Sequence, residues 1–161
     1  MTKKKSKVPV NKKKLAEYLG IEPPYLIIDE MIYHQHAKRA EALVFLKSEK
    51  WFFKCHFSDT PIMPGHLIAE AMIQTASLMM GGGDDIEKDP YRMYMTSSKT
   101  SFLNFVKPGE SLKIVAKPLK VVSFAVITSA KAYVNRKKVA EGQFMSRIIT
   151  KGQMFNERKK Q

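Results

Sequence analysis

WFFKCHFSDTPIMPGHLIAEAMIQTASLMM, residues Trp51 to Met80, sets a constrained turn ahead of a Pro64-Gly65 step and then a long apolar helix. From Leu67 to Met80 nearly every side of that helix is apolar, which predicts burial in a core. Its polar residues His66, Glu70, Gln74 and Ser77 are spaced four, four and three apart and form one narrow stripe. An ionisable carboxyl on a buried helix is unfavourable unless it is paired or used. The fold has to cover this helix, and the function has to account for Glu70.

The flanking sequence supplies the cover. Tyr25 to Tyr33 is rich in β-formers and predicts a first strand; Ala40 to Lys47, with Ala42, Val44 and Leu46 on one face, predicts a second. Gly81-Gly82-Gly83-Asp84-Asp85 marks a loop. Strand patterns follow at Arg92 to Phe105, Ser111 to Val122, Phe124 to Val134 and Lys137 to Thr150. Lys107-Pro108-Gly109-Glu110 is a turn signal, Asn135-Arg136 suits a tight hairpin, and Pro118 suits an edge or a bulge. Gly20 and Pro23-Pro24 end a short helix over Leu15 to Leu19. Two strands, one buried helix and a run of antiparallel strands is an α+β pattern, with the sheet wrapped around the helix. Such a sheet has free edges, so a dimer joined edge to edge is expected.

The chain of 161 residues is one domain's worth, and its 44% apolar content is that of a globular protein. The expected organisation is a basic, disordered tail over residues 1–14, one domain over 15–150 and a basic tail over 151–161. The net charge of +13 sits mostly in those tails: seven lysines and no acid in 1–14, and a net +3 in 151–161, which leaves +3 for the body. Solvated termini account for this, or steering of an acidic macromolecule. The basic runs lack interleaved aromatics or a recognition motif, so no nucleic-acid partner is expected. Glu70 and Gln74 interrupt the longest apolar run, and no apolar segment follows the basic start, so neither a membrane span nor a signal peptide is expected. One cysteine excludes an internal disulfide and fits a reducing cytoplasm.

His56 lies beside Pro61, Pro64 and Gly65 in a path with little freedom. The free N–H groups at the helix start form a ready site for a carbonyl or oxyanion. A lone histidine is more often structural than catalytic; a histidine, a buried carboxyl and a helix start together balance the two readings. His66 and Glu70, at i and i+4, make only an incomplete metal site. Cys55 beside His56 lacks an orienting third group, and a packed thiol is the simpler reading. Core packing is the expected role of Trp51-Phe52-Phe53.

CHFSDTPIMPGHLIAEAMIQ resembles the signature of the 3-hydroxyacyl-[acyl-carrier-protein] dehydratases of fatty-acid synthesis, whose pattern is close to G-H-F-P-x-x-P-I-M-P-G-V-L-x-x-E-A-x-A-Q. LGIEPPYLIID (Leu19 to Asp29) looks like that family's L-P-H-R-Y-P-F-L-L-V-D, and FLNFVKPGE (Phe102 to Glu110) like its F-K-R-P-V-x-P-G-D. Trp51-Phe52-Phe53 before Cys55-His56-Phe57 is nearer the sister branch that also isomerises the double bond, whereas Glu70 stands where that branch has Asp. The chain departs from the pattern at Gly20-Ile21-Glu22, Ser58-Asp59, His66, Ser101 and Asn104. The resemblance implies a hotdog fold, His56 and Glu70 as the catalytic acid/base pair, and backbone N–H groups of Gly65 and Phe57 holding the thioester carbonyl. It gives supporting places to Gln74, Pro64 and His66, and implies no cofactor and no metal. The implied partner is an acidic acyl carrier protein bearing the substrate. The implied assembly is a homodimer with composite sites, which a trimer of dimers would extend. A bifunctional dehydratase/isomerase and a non-catalytic acyl-binding subunit are the alternatives on the same fold.

Overall fold

In a computed structural model, residues 7–34, 38–77, 91–122 and 124–150 are described. The Gly81–Asp85 loop, the last expected helical turn at Leu78–Met80, and residues 1–6 and 151–161 lie outside them. The elements are β1 (Lys7–Val10), α1 (Lys12–Leu19), β2 (Glu30–His34), β3 (Arg39–Phe45), a 3-10 turn (Trp51–Lys54), α2 (Gly65–Ser77), β4 (Tyr91–Phe102), β5 (Ser111–Val122), β6 (Ala125–Val134) and β7 (Lys137–Thr150). The strands form one seven-stranded sheet in the order β1-β2-β3-β5-β6-β7-β4, with every neighbouring pair antiparallel.

One face of this sheet covers α2. Alternation puts Ala40, Ala42 and Val44 of β3, Leu112, Ile114 and Ala116 of β5, and Ala130, Ala132 and Val134 of β6 on the buried side. Leu67, Ile68, Ala71, Met72 and Ala76 of α2 join them in a single core cluster. The many alanines on the inner face leave room for a helix against the pleat, so the α+β arrangement expected from the sequence is the one observed.

The turn chemistry reads as expected. Gly20 caps α1 in the left-handed region and its N–H donates to Ala16 O. Asn135 and Arg136 both have positive φ (48° and 66°), the geometry of a tight hairpin. The β5–β6 register shifts between Pro118 and Lys120, so the proline sits at a bulge. Gly109 adopts φ 84° in the Lys107–Glu110 turn, which the Glu110 carboxylate closes by accepting from the Lys107 N–H at 2.7 Å.

Two expectations are corrected. The first strand begins at Glu30, not Tyr25, because Tyr25–Asp29 has other backbone partners: Gln74 accepts from the Ile27 N–H (3.0 Å) and donates to the Tyr25 carbonyl (2.8 Å). Residues assigned to the N-terminal tail are ordered instead. Lys7–Val10 pair with β2 at the sheet edge, Asn11 caps α1 by accepting from the Lys14 N–H (2.9 Å), and α1 starts at Lys12. Lys12 reaches back to Asp29 at 2.8 Å.

Asp29 ties these pieces together. Its carboxylate accepts from Lys12 and from the Phe45 N–H (2.8 Å), and Lys50 lies at 3.3 Å. Burial raises its pKa, but these donors outweigh burial and hold the group below the ordinary aspartate value. Glu41, on the outer face, is likewise held low: burial raises it, and Lys113 (2.8 Å), Arg39 and His34 outweigh that. His34 Nε2 stands 3.3 Å from Glu41 without the alignment of a hydrogen bond.

Candidate active site

The path into α2 is set by the 3-10 turn. Phe52 and Phe53 are buried and pack edge to face, with centroids 4.6 Å apart, while Trp51 is 49% exposed. Core packing therefore holds for the two phenylalanines and not for Trp51. Cys55 is exposed, which corrects the packed-thiol reading; its sulfur faces the carbonyls of Trp51 and Phe52 at 3.6 Å.

His56 is fixed from three directions. Its N–H donates to Phe52 O (2.9 Å), its carbonyl accepts from the Ile62 N–H (2.9 Å), and ring Nδ1 lies 3.1 Å from Ile62 O. A carbonyl only accepts, so Nδ1 carries the proton and Nε2 of the neutral ring keeps its lone pair. The ring is half-buried and stacks on Phe57 at 4.1 Å. Backbone geometry alone thus selects the tautomer that a base at Nε2 requires.

At the start of α2, Leu67 and Ile68 both donate to Pro64 O (3.0 and 3.2 Å). Among the described residues, the N–H groups of Gly65 and His66 have no acceptor. A Cβ on Gly65 would lie 3.3 Å from the Phe102 ring, so the absence of a side chain lets that ring close on the helix start. Of the two expected carbonyl-holding groups, Gly65 N–H is free, while Phe57 N–H makes a long 3.4 Å bond to Thr60 O.

Along the polar stripe, the helix start is exposed and the far half is buried. His66 is exposed, Glu70 half-buried, Gln74 2% and Ser77 9% exposed. His66 therefore turns to solvent rather than into a shared site with Glu70. Gln74 donates to Glu70 Oε1 at 2.9 Å, so one buried amide orients the carboxyl and the Tyr25–Ile27 backbone. The Tyr25 phenol also lies against Glu70. Burial raises its pKa first, and the negative charge of Glu70 raises it further. Within the one chain, His56 and Glu70 share neither a hydrogen bond nor an ion pair.

A family profile described as a FabA-like domain matches residues 21–143. The chain belongs to the FabA-like family. Among curated relatives, the 3-hydroxyacyl-[acyl-carrier-protein] dehydratase FabZ of Clostridium kluyveri is 33% identical over 125 residues, covering 78% of this chain and 86% of that protein. The FabZ of Ruminiclostridium cellulolyticum is 34% identical over 133 residues, covering 81% and 92%. The bifunctional LpxC/FabZ enzyme of Chlorobaculum tepidum is 33% identical over 128 residues, 80% of this chain and 27% of that protein. Among solved structures, a hot-dog-like protein from Thermanaerovibrio acidaminovorans superposes with a TM-score of 0.63 at 14% identity, covering 76% of this chain and 88% of that one. A conserved Pseudomonas aeruginosa protein gives 0.56 at 17% identity, with 70% and 82% covered. The fold of this FabA-like chain is the hotdog fold, as the signature implied.

Proposed function

We propose that this protein dehydrates (3R)-hydroxyacyl thioesters borne on an acyl carrier protein to the trans-2-enoyl thioesters, as the FabZ relatives are named for doing. The observation that carries the reading is the His56 ring, held by Ile62 O in the tautomer with Nε2 free, beside a helix start whose Gly65 N–H is open. The thioester carbonyl accepts from Gly65, with Phe57 N–H as a second donor once it leaves its long bond to Thr60. One such donor is worth about a hundred- to a thousandfold in rate. Nε2 of His56 takes the C2 proton, the C2–H electron pair becomes the C2=C3 bond, and the C3–O bond breaks as Glu70 protonates the departing hydroxyl. The products are enoyl thioester and water; a proton returning from His56 to Glu70 resets the pair.

The site is composite in this reading. That His56 and Glu70 of one chain share no hydrogen bond or ion pair supports it, as does the β4 edge of the sheet. Tyr94 (60% exposed), Met95 (43%) and Phe102 (49%) lie on a strand that, among the described residues, pairs on one side only, with β7. A long edge with apolar side chains is a template for pairing. Two copies joined at β4 form a homodimer in which each site draws His56 from one chain and Glu70 from the other.

The test is incubation of the pure protein with 3-hydroxyacyl carrier-protein thioesters of several lengths, following enoyl absorbance and the position of the double bond. Enoyl product from the wild type, with at least a hundredfold less from His56→Ala and Glu70→Gln, supports the assignment. A wild type without product, or a His56→Ala variant equal to it, sinks it. A double bond moved away from C2 would add isomerisation.

A further inference from the structure

Once Nε2 of His56 has taken the C2 proton, the ring is an imidazolium, and a half-buried cation needs something to meet its charge. A carboxylate does not do so within the chain: none of the ion pairs among the described residues includes His56. Two groups do touch the ring. Nδ1 lies 3.1 Å from Ile62 O, a bond that strengthens when the donor is charged. The Phe57 ring stacks on the imidazole with centroids 4.1 Å apart and planes inclined by 26°. The face of a phenyl ring is the negative pole of its quadrupole and attracts a cation within about 6 Å of the centroid.

The two phenylalanines just upstream serve the core, with Phe52 2% and Phe53 5% exposed; Phe57 is 52% exposed and contributes little there. Its stacking also has a geometric consequence. A partner on the face of the imidazole leaves the ring edge clear, so Nε2 stays open to a C2 proton. A carboxylate paired with Nε2 would occupy that edge.

We propose that Phe57 is a positioning residue for proton removal: its ring holds the imidazole by one face and meets the positive charge that His56 gains as it takes the C2 proton. This rests on His56 being the base of the reading above. The attraction grows with the charge, so it is stronger in the transition state than for the neutral ring. Its loss therefore appears in kcat and leaves KM in place.

The test is a series of mono-, di- and trifluorinated phenylalanines at position 57, which keep the shape of the ring and withdraw its π charge step by step. On the alkaline plateau of the pH profile, kcat falls with each added fluorine and reaches a loss of about fivefold. KM stays within about twofold and the melting temperature is unchanged. A second measurement does not need turnover: in protein carrying 13C-labelled histidine, the His56 ring resonance is assigned by its loss in His56→Asn and followed against pH. Its titration midpoint lies about half a pH unit lower in the trifluorinated protein than in wild type. A kcat that stays level across the series, or a midpoint that does not move, overturns the proposal. A wild type that makes no enoyl product overturns the dehydration reading instead, and the midpoint then decides the Phe57 contact by itself.

Discussion

His56 Nδ1 lies 3.1 Å from the carbonyl oxygen of Ile62, and that one contact leaves Nε2 as the ring nitrogen with a free lone pair. The residues between them make the contact possible: the Ile62 N–H returns to His56 O at 2.9 Å, closing the Pro61-containing loop on the histidine's own backbone. An asparagine places an amide N–H where Nδ1 stands and nothing where Nε2 stands. His56→Asn therefore keeps the bond to Ile62 O and the fold, with a melting temperature near wild type, while kcat drops by about 10²–10⁴. Should His56→Asn retain activity, the base is elsewhere; should it melt as low as His56→Ala, the ring contributes more than this one bond.

Gln74 carries a structural burden that can be measured apart from the chemistry. Replacement by leucine keeps apolar bulk and orphans the Ile27 N–H and the Tyr25 carbonyl, both otherwise satisfied by the amide. Buried groups left without partners cost about 1–3 kcal/mol each, so Gln74→Leu destabilises by about 3 kcal/mol in denaturant titration. Gln74→Glu keeps the acceptor for Ile27 but sets a second carboxyl against Glu70, and it loses activity as well as stability. A Gln74→Leu protein as stable as wild type would mean that water satisfies the freed groups.

Much of this was legible in the sequence, and the misses share a cause. The α2 pattern, the β5 and β7 limits, the bulge at Pro118 and the Asn135-Arg136 hairpin rest on local rules, and local rules suffice there. The start of β2 was misplaced because Ile27 is bonded to a side chain 47 residues away, a partner that no window around Tyr25 contains. The β1 strand is four residues long with lysines on either side, too short to show a period. Trp51 and Phe52 are alike in composition, and only the direction of the 3-10 turn sends one to solvent and the other to the core. At the site, His56, Gly65 and Glu70 stand out by residue type and spacing. The backbone partners of Gln74 do not, since the Tyr25 carbonyl and the Ile27 N–H reach it only after the Glu22–Ile27 segment has docked on α2.

Asp29 sets an acid limit on stability. Its folded pKa is below the unfolded value of about 3.9, so the folded state binds fewer protons through that range. The stabilisation is complete above about pH 5 and is lost as pH falls through 4 toward the depressed folded value. Asp29→Asn weakens the links to Lys12 and Lys50, lowers stability at pH 7 by about 1–2 kcal/mol, and flattens the decline between pH 5 and 3. Thermal melts across that range for both proteins read this directly. Parallel curves for the two would show that Glu41, held low by Lys113, Arg39 and His34, carries the acid sensitivity instead.

The composite-site reading makes a prediction that no single-chain site can satisfy. If His56 and Glu70 of one site belong to different copies, His56→Ala and Glu70→Gln homodimers are each inactive, since every site lacks one partner. Mixed, unfolded and refolded together in equal amounts, half of the dimers are heterodimers. In each heterodimer one site has lost both groups and the other has lost neither. Activity then returns to about a quarter of wild type by counting sites under two-fold symmetry. A site formed within one chain gives no recovery, because neither chain holds both groups. The same mixture with Tyr94→Lys and Met95→Lys added to both chains sets like charges against each other across a β4–β4 seam. It stays inactive and runs as monomers in light scattering. Monomers with restored activity would remove β4 from the interface and the dimer from the mechanism.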